Sequence, residues 1–165
     1  MQSLRYNKMD KILKCLEDDA RLTAEQLAVM CQKEVSDVKD RIKQYEKDGK
    51  ILAYKAIIDW DKTDREYVSA IIEVKITPQR DRGFDKIAEK IYNYPEVQSL
   101  YLMSGGYDLC VLIEGKTMKE VAFFVAQKLA TIEDVISTST HFVLRKYKDK
   151  GIVYSVPEVD ERGNF

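Results

Sequence analysis

LYLMSGGYDLCVLIEG, residues 100–115, decides the fold. Two apolar runs flank Ser104-Gly105-Gly106, and glycines that supply positive φ values at a reversal of direction make a hairpin signal. Working outward, a strand is expected upstream, where Val68, Ala70, Ile72, Val74 and Ile76 alternate with Tyr67, Ser69, Ile71, Glu73 and Lys75. Phe84, Ile87, Ala88 and Ile91 then recur at helical spacing. Beyond the hairpin, Thr117 and Glu120 form a capping box ahead of Val121, Phe124, Val125 and Leu129, and VISTSTHFVLRKY reads as a final strand. The order β-α-β-β-α-β is ferredoxin-like, one antiparallel sheet with both helices on one face. The other face must meet solvent or a partner. Leu100, Leu102 and the mixed last strand make it less than fully polar, so sheet-to-sheet dimerisation is expected.

Before Gly49 the period changes. Met9, Ile12, Leu13 and Leu16 share a helix face. Thr23 and Gln26 form a second capping box, with Leu22 and Leu27 at hydrophobic-staple positions and Leu27, Met30 and Cys31 facing inward. A tight turn at residues 32–35 leads to a third helix over 35–48, with Val38, Ile42 and Tyr45 inward and Gly49 as its left-handed stop. ILAYKAIIDW, residues 51–60, reads as a strand pair or wing. The whole is a winged-helix-like helix-turn-helix. The α+β chain therefore divides into residues 1–60, a charged connector 61–66, a sheet domain 67–148 and a tail 149–165, in which residues 152–154 form a short strand.

On the third helix, Ser36, Asp40, Lys43 and Lys47 lie opposite the apolar stripe. Lys43 and Lys47 suit phosphates, and Ser36, Asp37 and Lys39 sit near the end that meets base edges. The same pattern equally describes a solvated face of a helical bundle. Asp37 and Asp40 repel phosphate, although a carboxylate can read cytosine N4. In the second domain, residues 104–108 present backbone N–H groups to a carboxylate, and Asp108 could accept from an α-ammonium. Thr138, Ser139 and Thr140 either complete that pocket or express β-branched strand preference.

Composition narrows the classes. The 165 residues carry 27 basic and 28 acidic side chains, a net charge of −1, with 7 Gly and 3 Pro, too few for a disordered or collagen-like chain. Charge is spread evenly: residues 1–60 are +1, 61–148 neutral and 149–165 −2. No window approaches a membrane span, and the charged N-terminus lacks a signal-peptide core, so a cytoplasmic location is expected. Cys15, Cys31 and Cys110 lack CxxC spacing and read as small buried hydrophobes. His141 is the single histidine. No metal cluster, cofactor motif or catalytic constellation stands out, so an enzyme is not expected.

RLTAEQLAVMCQKEVSDVKDRIKQYEKDGKILAYKAIID, LYLMSGGYDLCVLIEG and STSTHFVLRKYK together resemble the Lrp/AsnC (feast/famine) family of prokaryotic transcription regulators, over residues 8–148. The resemblance implies a helix-turn-helix on double-stranded operator DNA. It also implies a second domain that dimerises, assembles toward a higher oligomer such as an octamer, and senses a small amino acid. It places Ser104, Gly105, Gly106, Tyr107 and Asp108 in the effector loop, with Thr138 and Thr140 near a site between subunits. Gln32 stands where the family usually has Gly, and Glu34 where a Ser cap is common. Two alternatives remain: a sirohaem-decarboxylase-like enzyme on the same plan, with His141 its only histidine, and an effector or assembly module without DNA binding.

Overall fold

The computed structural model describes residues 10–77 and 84–154, in two compact units divided between Ile58 and Asp59. The first unit holds α1 (Lys11–Asp18), α2 (Ala24–Cys31) and α3 (Val35–Lys47). Ile12, Leu16, Leu27, Ala28, Cys31, Val38 and Tyr45 form its buried core, the stripe expected from the 3.6-residue spacing. Met9 lies outside the described residues, and Met30, expected inward, is 53% exposed because α2 turns only Leu27, Ala28 and Cys31 to the core. The Thr23 hydroxyl accepts from Gln26 N (3.2 Å) while Gln26 Oε1 accepts from Thr23 N (2.8 Å), so the capping box closes on both sides. Gly49 adopts φ +67° and stops α3 as expected.

Residues 51–59 form no strand, against the expected pair. Strand propensity needs a ladder partner, and within this unit none is offered. Leu52 is consequently 88% exposed, and Tyr54, Ile57 and Ile58 are exposed as well.

In the second unit, a 3-10 turn (Trp60–Lys62) precedes β1 (Val68–Ile76), α4 (Asp85–Tyr92), β2 (Val97–Leu102), β3 (Leu109–Gly115), α5 (Met118–Phe124) and β4 (Val135–Phe142). The sheet runs β2-β3-β1-β4, every pair antiparallel, the strand order of a ferredoxin-like fold. Ala70, Ile72, Val74 and Ile76 of β1 and Leu109, Val111 and Ile113 of β3 pack against Ile87 and Ile91 of α4 and Val121 and Phe124 of α5. After α5 the chain continues through one π-helical segment (Val125–Leu129), whose Leu129 is also buried.

Three details depart from the expectations. Thr117 caps α5 through Glu120 N (3.1 Å), but the Glu120 carboxylate reaches Lys116 N (2.8 Å) and not Thr117 N, so the second box closes one residue early. Leu100 and Leu102 register with Val111 and buried Leu109, which puts them on the helix-covered side. The open face instead carries Ile71, Glu73, Cys110, Leu112, Tyr101, Ser139 and His141. The last strand stops at Phe142, and the chain then forms a small hairpin of β5 (Lys148–Asp149) and β6 (Ile152–Val153), one residue short of the expected 152–154. Among the described residues no helix is long and apolar enough to cross a membrane.

Candidate nucleic-acid interface and effector loop

Ser36, Asp37, Lys39, Asp40, Lys43 and Lys47 are all exposed on α3, while Val38 and Tyr45 are buried on its other side. A set of residues that the sequence reading did not single out fixes this helix. Asp10 caps α1 by accepting from Ile12 N (2.9 Å), and the same carboxylate accepts from the Tyr45 hydroxyl and from Arg41 Nη1 (3.2 Å). Burial works to raise the Asp10 pKa, but the Tyr45, Ile12 and Arg41 donors outweigh it and hold it below the usual carboxylate range. Burial, then the Asp10 bond, pushes the Tyr45 phenol up. Asp10 thus ties the start of α1 to the middle of α3. An Asp immediately before a helical stripe was the one local signal for it.

The turn between α2 and α3 shows both departures noted in the sequence. Gln32 holds the left-handed conformation (φ 55°, ψ 53°) that a Gly adopts without strain. Glu34 occupies the N-cap of α3 but makes no side-chain capping bond. Nearby, Lys39 Nζ is 3.0 Å from Glu25 Oε1 of α2, so one of the candidates near the base-reading end is engaged by a carboxylate. Glu25, Val29, Gln32, Glu34 and Asp37 line a hollow of about 630 Å³ beside this turn.

In the second unit, residues 103–108 connect β2 and β3. Met103 N donates to Asp108 O (2.8 Å), which makes a six-residue loop and not a two-residue turn. Only Gly105 carries positive φ (+151°), so the expected Gly-Gly pair of positive values is halved. Asp108 anchors the loop: its N–H donates to Val74 O (3.0 Å) and its Oδ2 accepts from Ile76 N (2.9 Å), where β1 shifts register between Lys75 and Ile76. Val74 in turn registers with Thr138, and Ile72 with Thr140. The fold therefore brings Asp108 and Thr138 to the same end of the sheet on either side of β1, with half-buried Thr140 two residues along. Ser104, Gly105 and Gly106 are exposed, and burial raises the half-buried Tyr107 phenol. A separate half-open hollow of about 340 Å³ lies between α4 and β2, lined by Phe84, Ala88, Tyr92, Leu100, Leu102 and Leu109; none of the seven effector candidates lines it. His141 Nε2, on the open face, is 3.3 Å from Ser139 Oγ and 3.5 Å from Glu73 Oε1. Among the described residues no group of three or more His, Cys, Asp or Glu could hold a metal ion.

A tri-helical unit with a tight turn before an exposed polar helix, joined in sequence to an antiparallel sheet that carries a glycine loop, defines a helix-turn-helix regulator with a ligand-binding unit. Residues 10–51 match the winged helix-turn-helix DNA-binding family, and residues 69–153 match the Lrp/AsnC ligand binding domain. An uncharacterised HTH-type transcriptional regulator of Bacillus subtilis, YugG, is 47% identical over 156 residues, covering 94% of each chain. Among solved structures, the Neisseria meningitidis regulator NMB0573 in complex with L-Met is 26% identical at a TM-score of 0.69, over 89% of this chain and 92% of its own. Escherichia coli AsnC, at 18% identity and a TM-score of 0.65 over 88% and 93%, shares the fold. The chain belongs to the Lrp/AsnC family and is a DNA-binding transcriptional regulator with a ligand-binding domain. These families and relatives are regulators and not enzymes, so the decarboxylase alternative falls.

Proposed function

We propose that this protein is a cytosolic, homo-oligomeric regulator whose affinity for a double-stranded operator responds to a small amino acid. The observation that carries the effector half is the loop of residues 104–108, anchored by Asp108 to β1 and opposite Thr138. Exposed N–H groups at Ser104, Gly105 and Gly106 suit an α-carboxylate, and the second Asp108 oxygen suits an α-ammonium. Tyr107 and Thr140 border the same end. The likeness to a relative solved with L-Met supports an amino acid as the effector class.

For DNA, Ser36, Asp37 and Lys39 stand near the base-reading end of α3, and Lys43 and Lys47 reach phosphates. Dimerisation would set two such helices about 34 Å apart on a pseudo-palindrome. Two apolar surfaces support self-association: the unpaired segment 51–59 and the helix-free sheet face around Ile71, Leu112 and Tyr101. Effector binding then acts by its differential affinity for two assemblies or helix spacings.

Band-shift titration against the chain's own upstream DNA, with each of the twenty amino acids, tests this reading. Salt-sensitive specific binding, weakened by Lys43→Glu and altered by at least one amino acid, is expected. Binding that no amino acid changes would remove the effector half, and the absence of specific binding would remove the operator half.

A further inference from the structure

The cations and carboxylates of the exposed α3 face are not equivalent. Lys39 is engaged by Glu25 at 3.0 Å, and Asp37 lies in the first turn of α3, where the helix N-terminus favours a carboxylate. Asp40 has neither ion pair nor hydrogen bond among the described residues, and it sits at the centre of the Ser36–Lys43–Lys47 stripe. Lys43, three residues on, is its neighbour on the same face, and is also without an ion pair among the described residues.

A lone carboxylate at the middle of a DNA-reading face carries a specific requirement. Brought into a groove beside phosphates, it is desolvated and repelled unless a donor meets it. The major groove offers two exocyclic donors, cytosine N4 and adenine N6. Adenine places the N7 acceptor beside its amine, and an ionised carboxylate has no proton to give it. Cytosine presents its amine without that acceptor.

We infer that Asp40 is a specificity-determining residue that selects a cytosine through its N4 amine, with the phosphate-contacting Lys43 beside it on the same face. This rests on the operator-binding reading above. Asp40 on this view contributes by excluding other bases, so its removal loosens selection while strengthening unselective binding.

Selection of binding sites from a random double-stranded DNA library, with full-length wild type, Asp40→Ala and Asp40→Asn, tests it. Wild type is expected to enrich a C·G pair at one position of each half-site, and to lose roughly 10- to 100-fold in affinity when that pair becomes T·A. Asp40→Ala should bind both operators within about two-fold and bind random DNA more tightly. Asp40→Asn should move the preference at that one position to adenine, since a side-chain amide can donate to N7 while accepting from N6. The side chain is exposed, and unchanged helical circular dichroism will confirm intact folding of both variants. An enriched sequence that is the same for all three proteins overturns the inference and leaves operator binding standing. Failure of wild type to enrich any sequence overturns operator binding, and the inference with it.

Discussion

The two units solve the same problem with different resources. Among the described residues, the sheet unit buries fourteen hydrophobic side chains between one face of its sheet and its helices, while the helical unit buries seven and adds a polar tie, Asp10–Arg41–Tyr45. Burial is close to additive in area and needs no exact geometry, so the larger unit tolerates irregularities such as its π segment and the shift at Ile76. The smaller unit has less burial to offset its own irregularities, the left-handed Gln32 and the uncapped start of α3. Caps and one carboxylate add to its seven-residue core, each contributing about 1 kcal/mol, and these lie beside the surface proposed for DNA.

The largest test of that contrast is Ile72→Ala. Ile72 is fully buried in the middle of the sheet, and truncation leaves a cavity costing about 3–4 kcal/mol. Urea unfolding followed by the fluorescence of Trp60, the single tryptophan and a member of this unit, should report that loss. A loss below about 1 kcal/mol would mean that the sheet core is looser than its burial implies.

Next in size is Tyr45→Phe, which keeps the ring and removes the hydroxyl that holds Asp10. A cost of about 1–2 kcal/mol is expected, because the half-buried carboxylate loses a donor. The pH dependence gives the sign. Asp10 has a folded pKa below its ordinary 3.8, so its contribution is complete above 3.8 and lost as the pH falls through the lower folded value. Tyr45 has a folded pKa above 10.0, so its contribution is complete below 10.0 and lost as the pH climbs through the raised value. Tyr45→Phe should reduce the alkaline loss, leaving the part owed to the raised Tyr54, Tyr67, Tyr107 and Tyr154 phenols, and shallow the acid one, read by circular dichroism at 222 nm. An alkaline arm of unchanged size would assign it wholly to those other phenols.

Separation along the chain decides which of these features the sequence alone reveals. The Thr23–Gln26 box and the Gly49 stop are settled within four residues of chain, and both appear as expected. The Asp10–Tyr45 tie joins positions 35 apart, and no periodicity encodes it. Residues 51–59 carry strand propensity without a strand to meet, so their alternation misleads. Leu100 and Leu102 lie on the face opposite to the expected one because alternation gives two faces but not which of them the helices cover; the pairing with Val111 and Leu109 decides it. Part of the effector loop was similarly legible. Glycines announced a reversal between strands, but the bonds from Val74 and Ile76 to Asp108 come from a strand more than thirty residues away.

A smaller effect, of opposite sign, is expected at the turn of the helical unit. Gln32→Gly relieves a left-handed residue worth about 1–2 kcal/mol of strain, offset by roughly 0.5–1 kcal/mol of added freedom in the unfolded chain. A net gain of about 0.5–1 kcal/mol should appear as a rise in melting temperature. No gain would mean that Gln32 makes up its strain through contacts its side chain forms.

Glu34→Ser is the finest probe, because it compares the α2 and α3 starts directly. Thr23 satisfies Gln26 N, whereas Glu34 leaves the corresponding amides of α3 without a side-chain acceptor. A serine hydroxyl can reach Asp37 N, as Thr23 does in α2, and such a cap is worth about 1 kcal/mol. Glu34 already contributes part of that through its negative charge at a helix N-terminus, about 0.3–1 kcal/mol at low salt. The expected net gain is therefore only about 0.5 kcal/mol, a rise of roughly 1–2 °C in melting temperature. Salt separates the two parts: screening removes the charge contribution but not the hydrogen bond. The advantage of Ser over Glu should accordingly grow between 0.02 and about 0.5 M salt. An advantage that shrinks with salt would show that Glu34 was repelled by the carboxylates around it, Glu25 and Asp37 of the same hollow, and that relief of that repulsion, not capping, stabilised the variant.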